Sequence, residues 1–301
     1  MKILVSYRGI PQSPGWATGD FVVEAFRELG HICVPYGTYY QQAHTWLEGR
    51  TPYEMLADQY DLYLQMECGD GDRSYSELKN IDATYKATWW FDVALYPERW
   101  RRETSAIGSK INFVANKNYA DGDMNVYLPY AADKKKHVIY TSFKDGRYNF
   151  REGDDFYAAD KDIDFLIIGS DRPERRKLYE DVCNVAHNAN VQYITSAFRQ
   201  EYIHYLNRSH FVLNDIAGGG QGLIPMRPFE TIAAGSHLIT PHGDGVHDLD
   251  IPCFEYRNMD ELLMLVEELN DRPRPIRFGF QQEFLKNHLY TNRCDKILMS
   301  L

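Results

Sequence analysis

Short apolar runs, each followed by a loop and then by a stretch of helical spacing, recur along this chain. Ile3-Leu4-Val5-Ser6-Tyr7 leads into a Gly/Pro-rich loop over residues 8–19. Asp20 to Leu29 then carries Phe21, Val22, Ala25, Phe26 and Leu29 at helical spacing, with Gly30 where a helix would end. His31 to Pro35 reads as a second strand. Strand, loop, helix and strand within about 35 residues form the unit of a parallel sheet. Tyr60 to Met66 and Tyr85 to Phe91 extend the pattern, with a helix expected over Ser74 to Asn80. Asn112 to Ala115 and Asn125 to Leu128 are expected as shorter strands.

A polar stretch from Asp133 to Lys161 interrupts the rhythm and reads as an inter-domain connection. Ile163 to Ile168 (IDFLII) restarts it as a buried strand, and a helix follows from Glu174 to about His187, with Pro173 as its first residue. Further strands are expected at Val191 to Ile194, Phe211 to Asn214, His237 to Thr240 and Ile251 to Tyr256. Helices are expected at Ala197 to Leu206, Pro225 to Ala234 and Asp260 to Leu269, and Phe278 to Leu298 closes as one or two more. The length of 301 residues fits two domains of about 150. The expected fold class is therefore α/β, with two Rossmann-like domains facing across a cleft. Their expected extents are 1–135 and 136–285, and a closing helix over 286–301 packs back on the first domain.

Composition narrows the class. With 44% hydrophobic and 25% charged residues, the chain has the balance of a globular protein able to build a sizeable core. The formal charge of −10 is spread along the sequence, which argues against a protein holding DNA mainly through its phosphates. Arg99, Arg101 and Arg102, and Lys134 to Lys136, are local basic patches or simply solvated faces. Five widely spaced cysteines with no CxxC pair argue against a disulfide framework and a structural zinc site. No signal peptide and no apolar run long enough to span a membrane is present, so a cytoplasmic location is expected.

Open parallel sheets bind ligands where loops and helix N-termini converge at the carboxyl ends of the strands. Two loops of the second half fit that description. Gly218, Gly219, Gly220 and Gly222 precede a helix containing Arg227 and Glu230. Such glycines let a backbone approach a ligand closely, and the helix N-terminus favours an anion; the alternative is a surface loop with a solvent-facing Glu. A carboxylate at Glu230 could accept hydrogen bonds from ribose hydroxyls. The other loop, Gly169 to Arg176, gathers Ser170, Arg172, Arg175 and Arg176 at a helix start, where basic residues oppose the helix dipole. A pyrophosphate would give them a purpose, and pairing with Glu174 or Glu180 is the alternative. The GxGxxG fingerprint after the first strand and the Walker A sequence are both absent.

An ordered series of motifs resembles the CgeB-type (spore-maturation) glycosyltransferases, members of the group with the GT-B fold. The series is Tyr127-Leu128-Pro129-Tyr130-Ala131-Ala132-Asp133, Asp164 to Ser170 with Arg175, Arg227 to Gly235, and His288-Leu289-Tyr290-Thr291-Asn292-Arg293. Phe26 to His31 and Trp89-Trp90-Phe91-Asp92 match more loosely. The resemblance implies a nucleoside diphosphate sugar as donor and no cofactor or metal. Glu230 would bind the ribose, Arg175 or Arg176 the diphosphate, and the glycine loop the phosphate or sugar. Related retaining enzymes often carry a second Glu eight positions before the ribose-binding one. Here that position is Gly222, which leaves the stereochemical outcome open. Asp20, Asp92 and His242 are the candidate bases for an inverting mechanism, which needs a proton acceptor within reach of the acceptor hydroxyl. Three alternatives accompany the transferase reading: a viral-type enzyme glycosylating a modified DNA base, a sugar-nucleotide epimerase or hydrolase, and a non-catalytic structural or binding protein of the same fold.

Overall fold

The computed structural model describes residues 1–8, 15–37, 57–67, 80–137, 142–144, 147–149, 161–215, 222–271 and 278–301. The helix expected over Ser74 to Asn80 lies almost wholly outside them. The chain divides into two compact units, each built on a parallel sheet.

Unit 1 comprises Met1–Tyr130, Gly219–Ile224 and Tyr290–Leu301. Its strands are β1 (Lys2–Tyr7), β2 (Ile32–Gly37), β3 (Tyr60–Met66), β4 (Ala83–Trp90), β5 (Ile111–Val114) and β6 (Asn125–Tyr127). They lie in the order β2-β1-β3-β4-β5-β6, every neighbour parallel. Six of the seven residues of β3 are buried, as expected of a strand covered on both faces. Helix α1 (Thr18–Glu28) turns Phe21, Val22, Val23, Ala25 and Phe26 inward. Helix α2 (Pro97–Ile107), which the sequence reading did not anticipate, starts on a proline and ends at Gly108 in the left-handed conformation (φ 69°). It resolves the first basic patch: Arg99 pairs with the buried Glu103 at 2.7 Å and Arg101 with Glu98 at 2.8 Å.

Unit 2 comprises Ala131–Gly218 and Pro225–Leu289. Inside the polar connection, β7 (Ser142–Lys144) and β8 (Arg147–Asn149) form an antiparallel hairpin. The main sheet contains β9 (Ile163–Ile168), β10 (Val191–Ile194), β11 (Ser209–Leu213), β12 (His237–Pro241) and β13 (Cys253–Tyr256) in the order β10-β9-β11-β12-β13, again all parallel. Between them run α3 (Pro173–Val185), α4 (Gln200–Arg208), α5 (Arg227–Ala233) and the short α6 (Asp244–Asp248). After β13 come α7 (Met259–Asp271) and α8 (Phe278–Asn287). One core cluster joins Phe165, Ile167, Leu178, Val182, Phe211, Leu213, Ile239, Leu262 and Val266, and each such side chain contributes about 1.5–3 kcal/mol on full burial.

The closing segment resolves into two helices, α8 and α9 (Tyr290–Met299), and α9 belongs to unit 1, where it packs on α1. The buried Arg293 explains two of the sequence motifs together. Its guanidinium donates to the carbonyl oxygens of Pro129 (3.0 Å) and Tyr130 (3.0 and 3.2 Å), and Lys296 reaches the Tyr127 carbonyl at 3.0 Å. Burial lowers the Arg293 pKa to about 10, still well above neutrality. Among the described residues no helix is long and apolar enough to cross a membrane.

Candidate functional site

In unit 2, β9 continues to β10 on one side of the sheet and β11 to β12 on the other, so the loops after β9 and β11 diverge. Such a switch point is where open α/β sheets hold their ligands. Arg175, in the first turn of α3, is 5% exposed. Its Nε donates to both oxygens of Asp215 (2.9 and 2.8 Å), and its Nη1 to the Ser170 carbonyl (2.8 Å) and hydroxyl (3.1 Å). Arg227 opens α5, and its Nη1 donates to Asn214 Oδ1 (3.3 Å) and Asp215 Oδ1 (3.2 Å). The Arg227 Nε is buried with no hydrogen-bond partner among the described residues.

Gly169 makes this convergence possible. Its φ is +144°, and a Cβ there would lie 2.6 Å from Arg175 Nη1 and 2.8 Å from Arg227 Nη2. Both guanidinium groups therefore close over a backbone without a side chain. Among the described residues two cations share one hydrogen-bonded carboxylate, Asp215, and the Arg227 Nε–H has no acceptor. That combination suits an anion with several acceptor oxygens.

Glu230 follows Arg227 by three residues and is 5% exposed. Tyr202 donates its hydroxyl to Oε2 at 2.8 Å, and His137 Nε2 lies 3.4 Å from Oε1. His137 Nδ1 accepts the Asp133 N–H at 2.9 Å, which assigns the proton of the neutral ring to Nε2, facing Glu230. Burial pushes the Glu230 carboxyl up to about 7, with the Tyr202 hydrogen bond and the Arg227 charge acting the other way. Burial, aided by Lys136, pushes His137 down to about 3. Both Glu230 oxygens thus face protein groups in unit 2.

The other arginines of the cluster separate from Arg175. Arg176 is exposed and salt-bridged to Asp171, whose carboxyl its hydrogen bond holds below the usual range. Arg172 is also exposed, and its backbone N–H donates to the Tyr193 hydroxyl at 3.2 Å. Gly218, Gly219 and Gly220 lie outside the described residues. Gly222 belongs to unit 1 at φ +91°, where a Cβ would lie 2.9 Å from both Asn116 Oδ1 and Asn118 Nδ2. The position where related enzymes carry a second Glu has neither the backbone conformation nor the space for one.

The three candidate bases differ sharply. Asp20 accepts the Tyr7 hydroxyl (2.7 Å) and the Ala17 N–H (2.9 Å), so its carboxylate caps the start of α1. Asp92 follows β4 and is half-buried; burial raises its pKa, and its carboxylate has no hydrogen-bond partner among the described residues. Beside it stands Glu67, which the sequence reading missed. Glu67 follows β3, and its Oε2 accepts the backbone N–H groups of Phe91 (2.8 Å) and Asp92 (2.7 Å). Burial raises the Glu67 pKa too, with the Asp92 charge adding to it. A carboxylate just past a buried strand, as in Met66-Glu67, was the available signal. His242 is exposed, and its Nδ1 lies 2.7 Å from Glu255 Oε2.

Residues 154–299 match the protein family described as glycosyl transferase-like. Solved structures similar over nearly the whole chain include AviGT4, a glycosyltransferase involved in avilamycin A biosynthesis (TM-score 0.58, 11% identity, 99% of this chain and 96% of that one). The sucrose-phosphate synthase of Thermosynechococcus elongatus aligns with a TM-score of 0.58 at 9% identity, over 99% and 98% of the two chains. Apo OtsA aligns with a TM-score of 0.60 at 10% identity, over 100% and 98%. At such identities the likeness carries the fold alone, and it establishes the GT-B class that the motif resemblance implies. A search of curated protein sequences finds no match.

Proposed function

We propose that the chain is a glycosyltransferase that binds the diphosphate of a nucleoside diphosphate sugar at the switch point of unit 2 and transfers the sugar to an acceptor hydroxyl. One observation carries the reading: Arg175 and Arg227 converge over Gly169, both pair with Asp215, and among the described residues the buried Arg227 Nε–H has no partner. In glycosyl transfer from such a donor, negative charge develops on the diphosphate as the sugar leaves. Preorganised guanidinium groups stabilise that charge more in the transition state than in the ground state. This role needs no metal on the diphosphate. The four ordered motifs further support kinship with the CgeB-type enzymes.

Glu230 acts in this reading through Tyr202 and Arg227 as a positioning residue beneath the phosphate site. Ribose contact would require the Tyr202 hydrogen bond to open. Asp92 is the preferred base among the three candidates. Its carboxylate has no hydrogen-bond partner among the described residues, and desolvation moves its pKa upward, towards the working range of a general base. The test is a panel of nucleoside diphosphates and their sugars, scored by calorimetric binding and by release of free nucleotide with and without pooled acceptors. Donor binding by the wild-type chain that is lost in Arg175→Ala supports the reading. No binding by any member of the panel overturns it.

A further inference from the structure

A second cluster in unit 2 lies at β12 and β13. His242 follows β12 and continues the ladder through its backbone, donating to the Tyr256 carbonyl at 2.8 Å. His247 sits in α6, and Glu255 lies within β13. Three side-chain atoms from these elements meet at one point. His242 Nδ1 is 2.7 Å from Glu255 Oε2, His247 Nε2 is 3.2 Å from the same oxygen, and the two ring nitrogens are 3.4 Å apart.

A tetrahedral ion with ligand bonds of about 2.05 Å has ligand-to-ligand edges of about 3.3 Å. Two of the three separations already match such an edge. The third is a hydrogen bond that opens by roughly half an ångström when a cation takes its place. The rings meet edge-on, with centroids 5.0 Å apart and an interplanar angle of 64°, so they do not block one another by stacking. All three side chains are reachable from solvent, at 41%, 57% and 25% exposure. Two imidazoles and one carboxylate suit zinc and its neighbours in the transition series, whereas magnesium and calcium prefer all-oxygen sites.

We propose that His242 Nδ1, His247 Nε2 and Glu255 Oε2 bind one divalent transition-metal ion of the zinc type, with a fourth position left for water or an anionic ligand. The ion ties the segment carrying α6 to strand β13. It makes His242 a metal ligand and removes it from the candidate bases. This assignment stands apart from the transferase reading, because it uses none of the residues around Arg175 and Arg227.

The experiment uses the full chain without an affinity tag, stripped with a chelator, dialysed and titrated with Co²⁺ and then with Zn²⁺ against a chromophoric competitor. The wild type should bind one equivalent of Co²⁺ with the intense visible absorption of a tetrahedral site, and Zn²⁺ should displace it. His247→Ala and Glu255→Gln should each weaken binding by at least about tenfold, since even outer-shell partners of a metal site cost 10–100-fold. In chelator all three proteins should melt at the same temperature, and added Zn²⁺ should raise the melting temperature of the wild type alone. Absence of a tetrahedral Co²⁺ spectrum, or Zn²⁺ binding unchanged in both variants, overturns the assignment. Nucleoside diphosphate binding measured in chelator reports on the transferase reading separately.

Discussion

At the carboxyl ends of its strands unit 1 carries carboxylates, Glu67 after β3 and Asp92 after β4, whereas unit 2 carries guanidinium groups, Arg175 and Arg227, around β9 and β11. The sheets themselves are alike, parallel throughout and most deeply buried at central strands such as β3, β9 and β11. The strands thus set where functional groups can stand, and the loops after them set the charge. Burial raises the pKa of Asp92 and Glu67, making them readier to take a proton, while the buried Arg175 donates to both oxygens of Asp215. A sheet end with proton acceptors suits an acceptor hydroxyl, and one with fixed cations suits a leaving diphosphate.

The largest expected break in this contrast comes from unit 1. Asp92→Asn should lower kcat by roughly 10²–10⁴-fold, the usual worth of a general base, with donor affinity and melting temperature nearly unchanged. Full activity in that variant would leave the acidic end without a catalytic role. Next comes Arg175→Ala, which removes one of the two cations on Asp215 and should weaken nucleoside diphosphate binding by roughly 3 kcal/mol, about 100-fold, in calorimetry. Retained affinity would detach the basic end from the donor.

Glu230→Gln sharpens the comparison through pH. The folded pKa of Glu230, about 7, lies above its ordinary value of 4.5, so between those values the folded state holds a proton that the unfolded state has lost. Wild-type stability therefore loses up to about 1.4 kcal/mol per pH unit from this group across the window, and the loss levels off above pH 7. His137 has the opposite sign: its folded pKa of about 3 lies below 6.5, so stability is lost as pH falls below 6.5. The two slopes oppose each other between pH 4.5 and 6.5. The stability of Glu230→Gln relative to wild type should accordingly rise with pH from 4.5 to 7 in denaturant titrations. A difference independent of pH would mean that Glu230 is not held protonated. The smallest effect belongs to Arg176→Ala, which removes an exposed pair with Asp171 and should leave donor affinity where it was. A clear loss would return Arg176 to the site.

Much of the fold could be read from local pattern. Tyr60 to Met66, Ile163 to Ile168 and Val191 to Ile194 are strands at the expected residues, because apolar runs between turn residues mark both type and ends. Helix α2 escaped because its inward face combines Trp100 and Ile107 with a buried Glu103, whose charge is answered by Arg99, and so lacks a plain apolar stripe. The site was legible only in part. Adjacent residues on a helix point about 100° apart, so Arg175 and Arg176 cannot serve the same inward site, and spacing alone does not say which one turns in. Asp215 and Tyr202 reach their partners 40 and 28 positions away in sequence, beyond any local signal. The Glu67 pairing with the start of the Asp92 loop depends likewise on strand register across 25 positions.

The helix α9 carries a consequence for how the molecule is made. Tyr290 packs against Phe21 and Trp89, and the Cys294 thiol donates to the Val22 carbonyl across 272 positions of sequence. During synthesis the unit 1 sheet therefore waits for this cover until unit 2 has been made, with that face of α1 and Trp89 uncovered meanwhile. Unit 2 meets no such delay, so in a growing chain it is equipped to finish before unit 1, and removal of residues 290–299 should destabilise unit 1 rather than unit 2.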